Sequence, residues 1–305
     1  MNKSYLNTLT VSVVILFGHN ILSAQTSPIQ IEATGARPLL AALSELEERS
    51  KIALNYEDVR FENSHDLSDV TETSSLGPAQ REMAIKNGLS YLQIVPKGGN
   101  FMYSLLVDPK SGKISDFEAV KGSIESILIS YRGARDLPGN FRAEYHDGSI
   151  FVGPSESRLS SGQIVPARPV LSTPINFPTA TRSGAETLQL ILTQVCAAVN
   201  FRVEAGMVPV RALTMSQVTM GATNEAASVV LERLLIAIQH SNSAPTGGGP
   251  TASFRLLFDP QLKWYMLSMH PISVADIAPS SQAISKPVPQ GAPTRNPLNW
   301  LVKTP

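Results

Sequence analysis

Apolar and polar positions along this chain lay out the same plan twice. Pro28-Ile29-Gln30-Ile31-Glu32-Ala33 alternates, the period of a half-buried strand. Arg37-Pro38 then opens a helix, because Pro is tolerated in a first turn whose N–H groups have no helical partner. Leu39, Leu43 and Leu46 form one apolar stripe, with Glu45, Glu47, Glu48 and Arg49 mostly on the other side. Ile52, Leu54 and Tyr56 alternate again, so a strand follows with almost no loop. Tyr91 to Val95 and Phe101 to Val107 flank a Gly98-Gly99 turn and predict a hairpin. Ser115 and Glu118 fit a capping box ahead of a helix carrying Phe117, Val120, Ile124, Ile127, Leu128 and Tyr131. Phe141 to His146, the turn Asp147-Gly148 and the return from Ser149 to Val152 make a closing hairpin.

The second pass starts at Pro174-Ile175-Asn176-Phe177. Its helix carries Leu188, Leu192, Val195 and Val199, followed by a strand at Phe201 and Val203. Leu213 to Met220 reads as a further strand. Asn224 is placed to cap a helix with Ala227, Val230, Leu231, Leu234, Leu235 and Ile238 inward. Phe254 to Phe258 and Trp264 to Met269 close it as a hairpin. A constant offset superposes Leu39, Leu43, Leu46 and Ser50 on Leu188, Leu192, Val195 and Val199, and Ile52 and Leu54 on Phe201 and Val203. Phe141-Arg142 corresponds to Phe254-Arg255. The predicted fold class is α+β: two small modules, each a three- to five-stranded sheet with two helices packed on it, in the order βαββαββ. The first module carries an insertion before its second helix. The expected boundaries are a signal peptide at 1–24, modules at 25–154 and 174–275, a Pro/Ser linker at 155–173 and a disordered tail at 276–305.

Bulk composition narrows the classes of function. The 43% hydrophobic content is enough for a buried core, and 25 basic against 25 acidic residues leave no net charge to steer the chain to nucleic acid. No basic patch interleaves with aromatics, which also disfavours nucleic-acid binding. The single cysteine, Cys196, excludes an intramolecular disulfide and reads as a core thiol. Lys3, the apolar run Leu9 to Phe17 and Leu22-Ser23-Ala24 read as a cleaved export signal, too short to span a bilayer comfortably. The mature chain is therefore expected in the periplasm or secreted, without stable membrane insertion.

The run Pro38-Leu39-Leu40-Ala41-Ala42-Leu43-Ser44-Glu45-Leu46, set between Ile31 and Tyr56, resembles the short N-terminal domain shared by secretins and TonB-dependent receptors. That family has a strand, a Pro-Leu-x-x-Ala-Leu helix, a strand often ending in Tyr, then a helix and a hairpin. In tandem, the chain also resembles exported bacterial proteins with an Asn/Thr-Tyr-Glu-Asp segment, here Asn55-Tyr56-Glu57-Asp58. The resemblance implies a periplasmic docking module beside a membrane machine. This chain departs from the family by carrying Ser50-Lys51 where Gly often ends the first helix, and no pore domain or barrel follows.

Candidate chemistry is sparse. The five histidines, His19, His65, His146, His240 and His270, form no i,i+3 or i,i+4 pair suited to a metal. His65 with Asp66 and Asp69 is the one loop that could approach a cation, and it is short of oxygen ligands for Ca²⁺. Gly153-Pro154-Ser155-Glu156-Ser157 lacks the final Gly of a nucleophile elbow. Gly98-Gly99 and Gly247-Gly248-Gly249 lack the Lys of a phosphate loop. No catalytic residue, cofactor or metal is assigned. The expected function is non-enzymatic binding of a protein or envelope component by addition of a strand to an open sheet edge. The contact residues are Arg142 and Glu144 in one closing hairpin and Lys263 and Trp264 in the other, with Trp300 in the tail as a docking element. The alternatives are a cell-envelope hydrolase using His146 or His65 near Asp147 or Asp66, and a structural subunit of an envelope or adhesion assembly.

Overall fold

Helix α1 (Pro38–Ser50) starts with Pro at its first position and buries Leu39, Leu43 and Leu46, as the spacing requires. It is flanked by strands β1 (Ser27–Gly35) and β2 (Ala53–Glu57). The computed structural model describes residues 27–71, 82–83, 85–88, 93–114, 116–134, 136–146, 148–242 and 251–272. The expected signal peptide, the expected tail with Trp300, Ser115 and Asp147 lie outside them. After β2 come β3 (Leu67–Asp69), β4 (Ile94–Pro96), β5 (Gly99–Val107), α2 (Phe117–Gly133), β6 (Asn140–His146), β7 (Ser149–Arg158) and β8 (Ile164–Pro166). The second half contains β9 (Pro174–Ser183), α3 (Gly184–Val199), β10 (Val203–Ala205), α4 (Val210–Met215), β11 (Gln217–Ala226), α5 (Ala227–Asn242), β12 (Thr251–Asp259) and β13 (Trp264–Ile272). The fold is α+β.

The strand pairing follows a parallel scheme in the two halves. In each half the first and third strands of the repeated plan make an antiparallel ribbon, β1 with β5 and β9 with β11. The second strand pairs parallel with the last, β2 with β7 and β10 with β13. The last two form a hairpin, β6 with β7 and β12 with β13. The first helix of each half ends alike, on a residue in the left-handed region whose N–H closes the last turn. Lys51 (φ 58) bonds Glu47 O and Asn200 (φ 54) bonds Cys196 O. Asn adopts that conformation more readily than Lys. Lys51→Gly is therefore expected to stabilise the fold by roughly 0.5–1 kcal/mol, read as a higher denaturant midpoint at unchanged slope.

Several expectations are corrected. The halves are not separate modules. Their two three-stranded sheets join through a parallel β2–β12 pairing into one sheet in the order β10-β13-β12-β2-β7-β6, and one buried cluster runs through both halves. The expected linker 155–173 holds the end of β7, β8 paired on it, and a 3₁₀ turn at Val170–Ser172 with Leu171 fully buried. Tyr91 and Leu92 of the expected hairpin lie outside the described residues, and Ile94–Pro96 does not pair with Gly99–Val107. β5 pairs with β1 and β4 with β3, because Gly98 brings its backbone against Gly35, where a Cβ would stand 2.0 Å from Gly35 O. Leu213 to Met215 end a short helix, and the strand begins only at Gln217. Asn224 lies within β11 at a register shift and caps nothing, and α2 is capped by Asp116, whose side chain accepts the Ala119 N–H at 2.7 Å.

Aromatic rings tie the first half's layers together. Tyr56 stacks on Phe141 within the sheet at 5.7 Å, Tyr131 of α2 meets Phe141 edge-on at 5.5 Å, and Phe101 of the ribbon meets Tyr131 at 5.5 Å. Such a column adds directional packing to apolar burial, roughly 0.5–1.5 kcal/mol per ring pair.

Candidate functional site

Two features of the shared sheet stand out: a polar seam where the halves join and, among the described residues, an open edge at β6. The seam is made by Asn55-Tyr56-Glu57 on β2, a strand buried at all five positions, and by Asp58 just after it. Only two residue pairs align across β2–β12, Tyr56 with Arg255 and Glu57 with Leu256, and side chains extend the bonding at both ends. Asn55 Oδ1 accepts the Phe254 N–H at 2.9 Å, and Asp58 Oδ2 accepts the Phe258 N–H at 3.1 Å. The Asp58 N–H donates to Leu256 O at 2.9 Å.

Most buried polar groups of the seam have partners, the Nε of Arg255 being an exception. Asn55 Nδ2 donates to Glu232 Oε1 on α5 at 2.9 Å, and His146 Nδ1 of β6 lies 2.8 Å from Glu232 Oε2. Arg37, just ahead of α1, donates to Asp58 Oδ2 at 2.6 Å and to Phe258 O at 2.8 Å, while the Tyr56 hydroxyl donates to Asp58 Oδ1 at 2.8 Å. Glu47 accepts the Leu54 N–H at 2.9 Å through one oxygen and Arg255 at 3.1 Å through the other. Glu57 accepts the Val170 and Leu171 N–H groups at 2.5 and 2.9 Å. Burial pushes the Glu57 carboxyl up to about 8, with those two N–H groups opposing the shift. Burial also raises Asp58, and Arg37 beside it works in the opposite direction.

These residues join two halves of one chain, and the duplicated copy lacks them. The positions equivalent to Asn55, Tyr56, Glu57 and Asp58 are Glu204, Ala205, Gly206 and Met207, and Glu47 is matched by Cys196. The local part of the arrangement survives there, since Cys196 Sγ accepts the Val203 N–H at 3.2 Å as Glu47 accepts that of Leu54. The groups that reach across the seam do not. Burial of Asn55, Glu57 and Asp58 was not evident from sequence. The available signal was a polar trio continuing an alternating strand, with Arg37 one helix away.

The candidate contact residues fall into three groups. Arg142 and Glu144 lie on β6, at the end of the sheet order, and pair with each other at 3.0 Å while remaining partly exposed. Lys263 and Trp264 are not on an open edge, which corrects the expectation for the second hairpin. Lys263 is a turn residue at φ 56, and β13 is covered by β12 on one side and β10 on the other, with Arg202 stacked 3.7 Å over the Trp264 ring. Trp300 lies outside the described residues. Of the residues suggested for hydrolysis, His146 turns to Glu232 and Asp66 is buried against Arg158 at 2.7 Å, while Asp147 lies outside the described residues. Among the described residues no group of three His, Cys, Asp or Glu is placed to hold a metal.

Two other surfaces offer less. A cleft of about 310 Å³ beside the seam is lined by Arg60, Glu62, Arg168 and Phe201, but Arg60 is already matched by Glu62 at 2.5 Å and by the Phe201 ring at 4.0 Å. Met207, and Val210 and Met215 at the two ends of α4, are exposed and apolar; of these only Met215 fell in the segment expected as a strand. Among the described residues no helix is long and apolar enough to cross a membrane. Compared with known protein families, curated proteins and solved structures, the chain matches none of them.

Proposed function

We propose that this protein is an exported, non-enzymatic interaction module that binds a protein or envelope component by adding a strand to the open edge of β6. The observation that carries the reading is an inequality between equivalent strands. β12, the sixth strand-or-helix step of the second repeat, has its edge filled by β2, whereas β6, the same step of the first repeat, ends the sheet. The fold therefore already uses this edge once to bind a strand, and it presents a second edge of the same type. Export rests on the N-terminal apolar run, and the docking role on the resemblance of Pro38 to Leu46, set between Ile31 and Tyr56, to the secretin and TonB-receptor module.

Ala143 is the centre of the edge, and its N–H points away from β7 because Arg142 and Glu144 take the hydrogen-bonded positions. Ala143→Pro removes that donor without removing a bond of the hairpin. With a photo-crosslinking residue at Tyr145 in cells, a captured product is expected that falls about tenfold in the Ala143→Pro background, while a probe at Leu262 captures none. Capture that ignores the proline, or a silent Tyr145 probe, overturns the reading.

A further inference from the structure

The occupant of the β6 edge can be narrowed by asking which strand matches it, an inference that rests on the edge-addition reading above. The hairpin closes with His146 opposite Ser149, so His146, Glu144 and Arg142 bond to β7, and Phe141, Ala143 and Tyr145 direct their N–H and C=O groups outward. The counterparts in β12 behave the same way: Phe254 and Phe258 donate, and Leu256 accepts, toward β2. The free β10 edge of another copy is a poor occupant. It has Glu204 and Met207 where β2 has Asn55 and Asp58, and it is three residues long.

The strand that does match is β6 itself. We infer that the β6 edge pairs antiparallel with the β6 edge of a second copy, in a two-fold register centred on Ala143. That register sets the outward groups of Ala143 against Ala143 and of Phe141 against Tyr145, for about six backbone hydrogen bonds. It also puts Arg142 of each copy directly opposite Glu144 of the other, at the closer, non-hydrogen-bonded spacing where side chains interact most strongly. The neighbouring registers are worse. A shift to either side sets Arg142 against Arg142 or Glu144 against Glu144. Ala143 on the axis keeps the approach clear, and Phe141 faces Tyr145 on the helix-covered side, where Tyr145 is still 38% exposed. The pairing is isologous, so each copy uses up its own β6 edge and the product is a closed dimer joined by one continuous sheet.

Charge exchange tests this register. Light scattering of the exported chain over a concentration series is expected to show a dimer that dissociates on dilution. Arg142→Glu alone and Glu144→Arg alone each put like charges opposite and are expected to weaken the dimer on the order of tenfold or more. The double variant Arg142→Glu/Glu144→Arg restores it, and an equimolar mixture of the two single variants forms a heterodimer, with far-UV circular dichroism confirming that all fold. A dimer insensitive to both single exchanges overturns the register, and a monomer at every concentration overturns the second copy as partner. In the latter case, a Tyr145 probe that still captures another protein in a proline-sensitive way leaves edge addition standing. A silent probe removes both.

Discussion

Asp58→Ala is expected to cost roughly 3–5 kcal/mol of stability, a large share of what a domain of this kind has. The carboxylate holds Arg37, the Tyr56 hydroxyl and the Phe258 N–H together at the join of the two halves. Removing it leaves a largely buried guanidinium without its counter-charge and a strand N–H without an acceptor. Both are more expensive than the net worth of the intact pair. Since one core runs through both halves, the loss should appear in a single transition followed by circular dichroism and by Trp264 fluorescence alike. A shift below about 1 kcal/mol would mean that apolar packing alone joins the repeats, whereas separate transitions for the two probes would mean that the halves fold independently.

A second expected result is a stability that falls as pH rises through neutrality. Buried Glu57 is raised from 4.5 to about 8, so between those values the folded chain holds a proton that the unfolded chain has released. Stability from this group is complete below the unfolded value and is lost as pH passes the folded one. Asp58, raised by burial, contributes in the same sense. At the acid end the sign reverses, because Asp108 and Glu186 are held below their usual range by hydrogen bonds from Ser111 and Ser183 and lose that benefit when protonated. The stability maximum is therefore expected in mildly acid solution, with a decline of a few kcal/mol by about pH 8.5. Glu57→Gln should be less stable at low pH, where its amide confronts two backbone donors, and should lack most of the slope. Urea unfolding across pH checks both, and an unchanged slope in the variant would assign the effect to other groups.

The seam and the edge differ in how they were encoded. Arg142 and Glu144 were legible as edge residues because a two-residue turn and strict alternation define a hairpin locally. Lys263 and Trp264 also belong to a hairpin, with a longer turn, yet β10 covers their strand, and nothing within the hairpin records that neighbour. The linker illustrates the same limit. Pro, Ser and Gly between residues 155 and 173 signal turns, but the 3₁₀ turn there is held by Glu57, more than a hundred positions earlier.

By itself the amino-acid sequence determined the α+β class, the four long helices and the closing hairpins, because these follow from periods of two and 3.6 residues that each segment carries within itself. Only the tertiary structure decided that the two repeats share one sheet, that β2 buries its acids between them, and that β6 rather than β13 is left open. Those outcomes depend on which strand edges meet, and an edge consists of backbone groups that are the same in every strand. The choice rests on a few side chains, Asn55, Asp58, Arg37 and Glu232, whose partners lie far along the chain.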